Sequence, residues 1–300
     1  MADPLIALAG ANGDLGFRIA KASVARGAQV RALLRPGAPA GQAAKLTAIG
    51  VALAEADPSD GSAMAEACRG AECVVSALNG VRDVILERQT VLLGAAVQAG
   101  VPRFISSDYS LDFTKTEAGG NRNLDLRRAF MAVADQAPIR VTTVLNGAFM
   151  DMVGAEMPIL QPAIHRVLHW GKAEQALDFT TKDDVAAFVA AAALDPHAPR
   201  ILRIAGDSKS PAEIARLLTA LTGTRYRTLR AGGMGGLNAM IGIAKLFAKP
   251  DAVFPPYQGM QYMRDMMSGQ GKLSPLDNER YSDLTWTTLR DHLAQLQSRL

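Results

Sequence analysis

The chain has 300 residues, 49% hydrophobic and 20% charged, which is enough apolar material for one large domain or a domain with an appended lobe. A formal net charge of +3, mild and scattered, does not predict a nucleic-acid surface. Met1-Ala2-Asp3-Pro4 lacks the basic start and apolar core of a signal peptide, and the longest apolar run, Val185 to Leu194, is too short to cross a bilayer, so a cytoplasmic protein without membrane contact is expected.

Leu5 to Ala9 predicts a strand that empties into Gly10-Ala11-Asn12-Gly13-Asp14-Leu15-Gly16, and Phe17 to Ala22 begins a helix closed by Gly27. Glycines at a strand-to-helix turn let backbone N–H groups and the positive helix end approach a pyrophosphate. The spacing is G-x-x-G-x-x-G, not the commoner G-x-G-x-x-G, so the strand-turn-helix setting supplies most of the argument for a dinucleotide. Ala28 to Leu34 predicts the second strand, which ends in Arg35-Pro36 with no acid. A carboxylate there would hold the ribose 2′-hydroxyl of NAD, whereas a cation suits the 2′-phosphate of NADP. Arg35 is therefore read as a phosphate clamp, with a solvated surface arginine as the plainer alternative.

Helix is expected at Lys45 to Gly50, and a third strand at Val51 to Ala54 leads to Asp57, which either covers an adenine or caps the next helix. Cys68 and Cys73, with no histidine nearby, read as two reduced, partly buried thiols. A fourth strand is expected from Cys73 to Gly80, a helix over Val84 to Ala99, and a fifth strand over Arg103 to Ser107. The polar exit, Ser107 to Ser110, should face the nicotinamide end of the cleft, and Ser106 just before it is read as a cofactor contact. A helix over Leu124 to Gln136 and a sixth strand over Ile139 to Leu145 complete the rhythm, which predicts an α/β fold with a doubly wound parallel sheet.

Beyond Met150 the pattern loosens. Thr181 with Asp184, and Ser210 with Glu213, are spaced as capping boxes, and Ile201 to Ile204 reads as a last strand. Residues 231–267 are rich in Gly and Met and read either as a substrate lid or as a helical subdomain or dimer contact. The division expected is a dinucleotide-binding domain over 1–205, with 151–176 lending residues to a smaller C-terminal substrate lobe over 206–300. Leu289, Leu293 and Leu296 would form the apolar stripe of a C-terminal helix, and His165 and His169 lack the glutamate of an H-E-x-x-H pattern, so no metal is expected.

These pieces resemble the atypical short-chain dehydrogenases that include NmrA-like proteins and the isoflavone and pinoresinol-type reductases. The resemblance rests on Gly10 to Gly16, Arg35-Pro36, Val101 to Tyr109, Leu126-Arg127-Arg128 and Phe179 to Ala186, and covers about the first two hundred residues well. It implies a Rossmann sheet with NADP(H) on Gly10, Asn12, Gly13, Leu15 and Gly16, with Asp14 inside that motif. Arg35 and, ten residues on, Lys45 would hold phosphate; Ser76 and Asn79 would flank the ribose and nicotinamide; Asn146 and Phe149 would border the nicotinamide and the substrate. One departure stands out: where the reductases carry a lysine that assists hydride transfer, this chain has Asn123. No Y-x-x-x-K pair replaces it, which leaves Tyr109 or Lys115 as the expected proton donor. Two functions are expected from this: an NADPH-dependent reductase of an aromatic or enone-like small molecule, or a non-catalytic NADP(H)-binding sensor that reports to a protein partner.

Overall fold

The computed structural model describes residues 3–154, 157, 159–249 and 252–297, with the side chains of 296 and 297 outside the description. In chain order, β1 (Leu5–Ala9), α1 (Asp14–Ala25), β2 (Gln29–Leu34), α2 (Ala40–Thr47), β3 (Ala52–Glu55), α3 (Gly61–Cys68), β4 (Cys73–Ser76), α4 (Gln89–Gln98), β5 (Arg103–Ser106), α5 (Arg122–Ala134) and β6 (Arg140–Leu145) alternate strand with helix. Four short strands then intervene: β7 (Ala148–Phe149), β8 (Leu160–Gln161), β9 (Arg166–Trp170) and β10 (Leu177–Thr180). After them come α6 (Lys182–Leu194), β11 (Ile201–Arg203), β12 (Asp207–Lys209), α7 (Pro211–Thr222), β13 (Arg227–Gly232), α8 (Met234–Leu246), α9 (Pro256–Met267) and α10 (Leu289–Gln297).

Seven strands form one sheet in the order β11-β6-β5-β4-β1-β2-β3, every pair parallel. The chain reverses direction across the sheet between β1 and β4, which creates a crevice at their carboxyl ends. Both faces are covered: α1 packs on α6 on one, and α4 packs on α3 and α5 on the other. That is why Ile6, Ala7 and Leu8, or Val74 and Val75, are buried in succession instead of alternating with polar residues.

Several boundaries differ from the sequence reading for local reasons. The segment over 84–99 opens with a π-helical stretch, Asp83–Arg88, before becoming α-helical. The second helix starts at Ala40, so Lys45 lies in its last turn, and the fourth strand stops at Ser76 instead of continuing to Gly80. Asp60, not Asp57, caps α3, accepting from the N–H groups of Ser62 and Ala63. The Ser210–Glu213 capping box is complete, whereas Thr181 accepts from Asp184 N and the Asp184 carboxylate takes the N–H and hydroxyl of Thr287. Both cysteines are fully buried free thiols, their pKa values pushed by burial to about 11 for Cys68 and about 12 for Cys73.

A second core, rich in methionine, joins Met150, Met157, Val167, Trp170 and Phe179 to Ile214, Ile241, Met263, Met266 and Leu289. It therefore draws on residues from both sides of position 205. Two three-stranded sheets, β12-β10-β7 and β13-β9-β8, frame it. Leu289 and Leu293 of α10 are buried there, and the third residue of the expected stripe, Leu296, lies outside the described side chains. The segment before α10 returns to the main sheet, where Tyr281 and Trp286 pack on Phe188 with ring centroids 5.0 and 5.9 Å away.

Candidate functional site

The glycine turn lies at the crevice between β1 and β4. Gly10 has φ +82°, and a Cβ on it would come within 2.5 Å of Ala77 O. A Cβ on Gly16 would overlap the carbonyl of Gly10. The fold itself demands glycine at both positions. Gly13 is different, because its Cβ would meet only Gly10 O, at 3.4 Å, an ordinary contact. Nothing in the chain requires this glycine, so the space it leaves open fits a ligand. Gly13 also stands at the N-cap of α1 with no side chain to offer, and the helix closes first through Phe17 N on Gly13 O at 2.8 Å. The N–H groups of Asp14, Leu15 and Gly16 thus form the positive end of a helix, suited to an anion.

The side chain of Asp14 has other work. Its carboxylate accepts from Lys182 Nζ at 2.8 Å and Arg18 Nε at 2.7 Å, and those two cations, Lys182 first, hold its pKa below the usual carboxylate value. Asp14 therefore straps α1 to α6 and can offer a cofactor only its backbone N–H.

Beside the turn is a cavity of about 270 Å³ lined by Asn12, Gly13 and Phe17 on one side and Gln42 and Lys45 of α2 on the other. Lys45, read from sequence as a phosphate ligand, is thereby brought to the same opening as Asn12 and Gly13. Arg35 is exposed at the end of β2 and its guanidinium forms no hydrogen bond or ion pair with any described residue. Asp57 is exposed beyond β3, its carboxylate occupied by the N–H (2.9 Å) and hydroxyl (2.6 Å) of Ser59, which lower its pKa.

At the other end of the crevice the structure reassigns the expected proton donors. Tyr109 is 7% exposed, packs in the main core and donates its hydroxyl to Ser76 O at 3.1 Å. Burial first, and the neighbouring Asp108 second, push the phenol well above its ordinary pKa. A phenol enclosed in this way cannot meet a substrate. Lys115 is also committed: its ammonium donates to Lys272 O (3.2 Å) and Ser274 O (2.9 Å) and pairs with Asp112 at 3.3 Å, tying two loops together. Ser106 is not free for a cofactor, because its hydroxyl bonds Asp108 and contacts Thr143 Oγ1 at 3.1 Å. Asn123 is buried in the first turn of α5, its amide oxygen 3.4 Å from Arg122 Nε.

Among the described residues, two of the buried polar groups without a partner stand at strand ends beside the crevice. The hydroxyl of Ser76 is fully buried and unpaired, and the amide of Asn146, at the end of β6, is fully buried with neither its oxygen nor its nitrogen bonded. The Asn146 backbone is pinned on both sides, N–H to Ser110 O (3.0 Å) and C=O from Thr180 Oγ1 (2.7 Å), so the side chain is held in place without being satisfied. A buried orphaned group costs about 1–3 kcal/mol, and such a cost at a sheet edge fits a ligand-facing role. Asn79 is exposed beyond β4, and Phe149 in β7 is half-buried against the main core.

No motif in the sequence points to the network behind this edge. Asp108 is buried; its Oδ2 accepts from Ser106 Oγ and from Thr143 Oγ1 at 2.8 Å, while Oδ1 has no partner, and burial raises its pKa. Arg200 donates to Thr143 Oγ1 at 2.8 Å and to Asp135 at 2.8 Å. The pieces are present in Ser106-Ser107-Asp108 and Thr142-Thr143, but only strand pairing of β5 with β6 puts them together. His165 and His169 give no metal cluster among the described residues; His165 ends a short turn, and His169 lies within β9.

The chain is 27% identical to pinoresinol reductase 2 of Arabidopsis thaliana over 206 residues, which is 64% of this chain and 65% of that protein. It is 28% identical to the isoflavone reductase homolog IRL of Zea mays over 237 residues, 74% of this chain and 75% of the relative. Among solved structures, AtPrR2 with NADP+ and (+)pinoresinol superposes with a TM-score of 0.83 over 98% of each chain at 21% identity, a likeness of fold. The sequence model of the NmrA-like family matches residues 2–246, and the chain belongs to that family.

Proposed function

We propose that the protein is an NADP(H)-dependent reductase of a small, apolar, enone-like molecule, with quinones as the best-suited acceptors. The observation that carries the cofactor assignment is the open space beside Gly13, in a cavity shared with Lys45, with the unpaired Arg35 at the end of the neighbouring strand. The α1 N-terminus would take the pyrophosphate, Arg35 and Lys45 the 2′-phosphate, and the orphaned Ser76 hydroxyl and Asn146 amide the ribose and nicotinamide end. Reduced nicotinamide supplies a hydride when bound.

What the chain does not offer supports this acceptor class. With Tyr109 buried, Lys115 committed and Asn123 unable to donate a proton as an acid, an isolated carbonyl is a poor substrate. Its reduction makes an alkoxide about as basic as hydroxide, far more basic than a phenolate. Hydride transfer to a quinone instead makes a phenolate, of conjugate-acid pKa about 10, which water can protonate. The reaction balances as quinone plus NADPH plus one proton giving hydroquinone and NADP+, with the proton taken from solvent.

The same missing lysine favours a second reading, an NADP(H)-binding sensor with no turnover. NADPH oxidation measured with a panel of quinones, enones and aromatic carbonyls separates the two. Turnover with quinones or enones and little with simple carbonyls is the expected result. Tight NADPH binding with no turnover on any acceptor would replace the reductase by the sensor.

A further inference from the structure

Of eleven large apolar side chains exposed among the described residues, six fall between positions 240 and 254. In α8 only Asn238 and Lys245 are polar. Leu237 and Ile241 turn inward to the second core. Along the opposite side run Met240, Ile243 (60% exposed) and Leu246 (81%), then Phe247 (84%), where an ordinary surface helix would carry polar residues. Phe254, 65% exposed, continues the patch before α9. No helix of the described residues is long and apolar enough to cross a membrane, so such a face can act only from outside a bilayer or against a partner.

The charge around this face is predominantly positive. Residues 225–249 hold Arg225, Arg227, Arg230, Lys245 and Lys249, all exposed, and no acid. Lys245 also lines a cleft of about 440 Å³ with Arg82, Arg122 and Tyr257, where its three cations outnumber one carboxylate, Asp125. Arg122 and Lys245 lie 5.6 and 5.8 Å from the Tyr257 ring centroid. Arg122 donates to Ala252 O (3.0 Å) and Val253 O (2.8 Å), which holds the turn leading to Phe254 beside the cleft. A second copy docking face to face would set these cations against themselves, whereas an anionic lipid surface complements them.

We propose that α8 and the 253–254 turn dock the protein peripherally on an anionic bilayer. Ile243, Leu246, Phe247 and Phe254 would enter the acyl boundary, and Lys245 with Arg122 and Arg82 would hold a lipid phosphate. The test is sedimentation of the full chain with phosphatidylcholine vesicles, with and without phosphatidylglycerol, at low and high salt. The expected result is binding that requires phosphatidylglycerol and weakens with salt. Two double variants probe the two components: Ile243→Ser with Phe247→Ser, and Lys245→Glu with Lys249→Glu. Each should lower partition about tenfold or more while NADPH affinity, the check on folding, stays unchanged. The idea is overturned if phosphatidylglycerol vesicles bind no protein, if both variants bind as well as the parent, or if a parent dimer becomes monomeric in Ile243→Ser with Phe247→Ser.

Discussion

The phenol of Tyr109 donates its proton to the backbone carbonyl of Ser76 at 3.1 Å, joining the exit of β5 to the end of β4 beneath the crevice. The bond makes Tyr109 a fastening of the sheet edge, not a reacting group. Tyr109→Phe should therefore cost about 0.5–1.5 kcal/mol of stability, the net worth of one hydrogen bond. Turnover should stay within about twofold of the parent, where loss of a general acid would cost about a hundredfold or more. Denaturant unfolding and steady-state NADPH oxidation on one preparation check both halves.

Gly13 and Gly16 should separate binding from folding. A methyl on Gly16 overlaps the Gly10 carbonyl, so Gly16→Ala should destabilise by about 1–3 kcal/mol. Gly13→Ala meets no obstacle in the chain and should unfold within about 1 kcal/mol of the parent, yet bind NADPH at least about tenfold more weakly. Fluorescence titration with NADPH beside thermal melts gives the contrast; equal binding by Gly13→Ala would remove the pyrophosphate from this turn.

Arg35 and Lys45 should set the choice of cofactor. A charge-assisted hydrogen bond to phosphate is worth about 1.5–3 kcal/mol, or about ten- to a hundredfold. Arg35→Ala should lose that factor for NADPH and little for NADH, and Lys45→Ala should do the same to a smaller extent, because an ammonium meets phosphate as a point charge and not with a bidentate fork. Parallel titrations with the two cofactors measure it, and equal losses for both would move the 2′-phosphate elsewhere.

Asp108 should leave a mark on the pH dependence of stability. Its folded pKa is raised, chiefly by burial, so between its ordinary value of 3.8 and the raised value the folded chain binds more protons than the unfolded one. Stability contributed at this residue therefore falls as pH rises through that window. Asp108→Asn can still accept from Ser106 and Thr143 and carries no charge to desolvate. The variant should gain stability relative to the parent at pH 7, and the gain should shrink toward pH 4, as thermal melts across that range would show.

The repeating strand-helix rhythm, the parallel sheet and the glycine turn were legible because each depends on residues close in sequence. The position of Arg35, exposed just past the second strand, was legible for the same reason, since the residue that closes a strand is placed by the local chain. Asp14 shows the limit. Within the motif it reads as a cofactor contact, but the cations that claim its carboxylate include Lys182, 168 residues away.

Sequence alone determined the fold class, the position of the glycine turn and the absence of an acid at the end of the second strand, all consequences of local backbone preference and hydrophobic period. Tertiary structure decided which polar groups are free to act. Tyr109 and Lys115 carry suitable chemistry, but the carbonyls of Ser76, Lys272 and Ser274 occupy them, while Ser76 Oγ and the Asn146 amide are left without partners. A side chain's identity gives the protons it can share; only the folded chain determines whether another group has already claimed them.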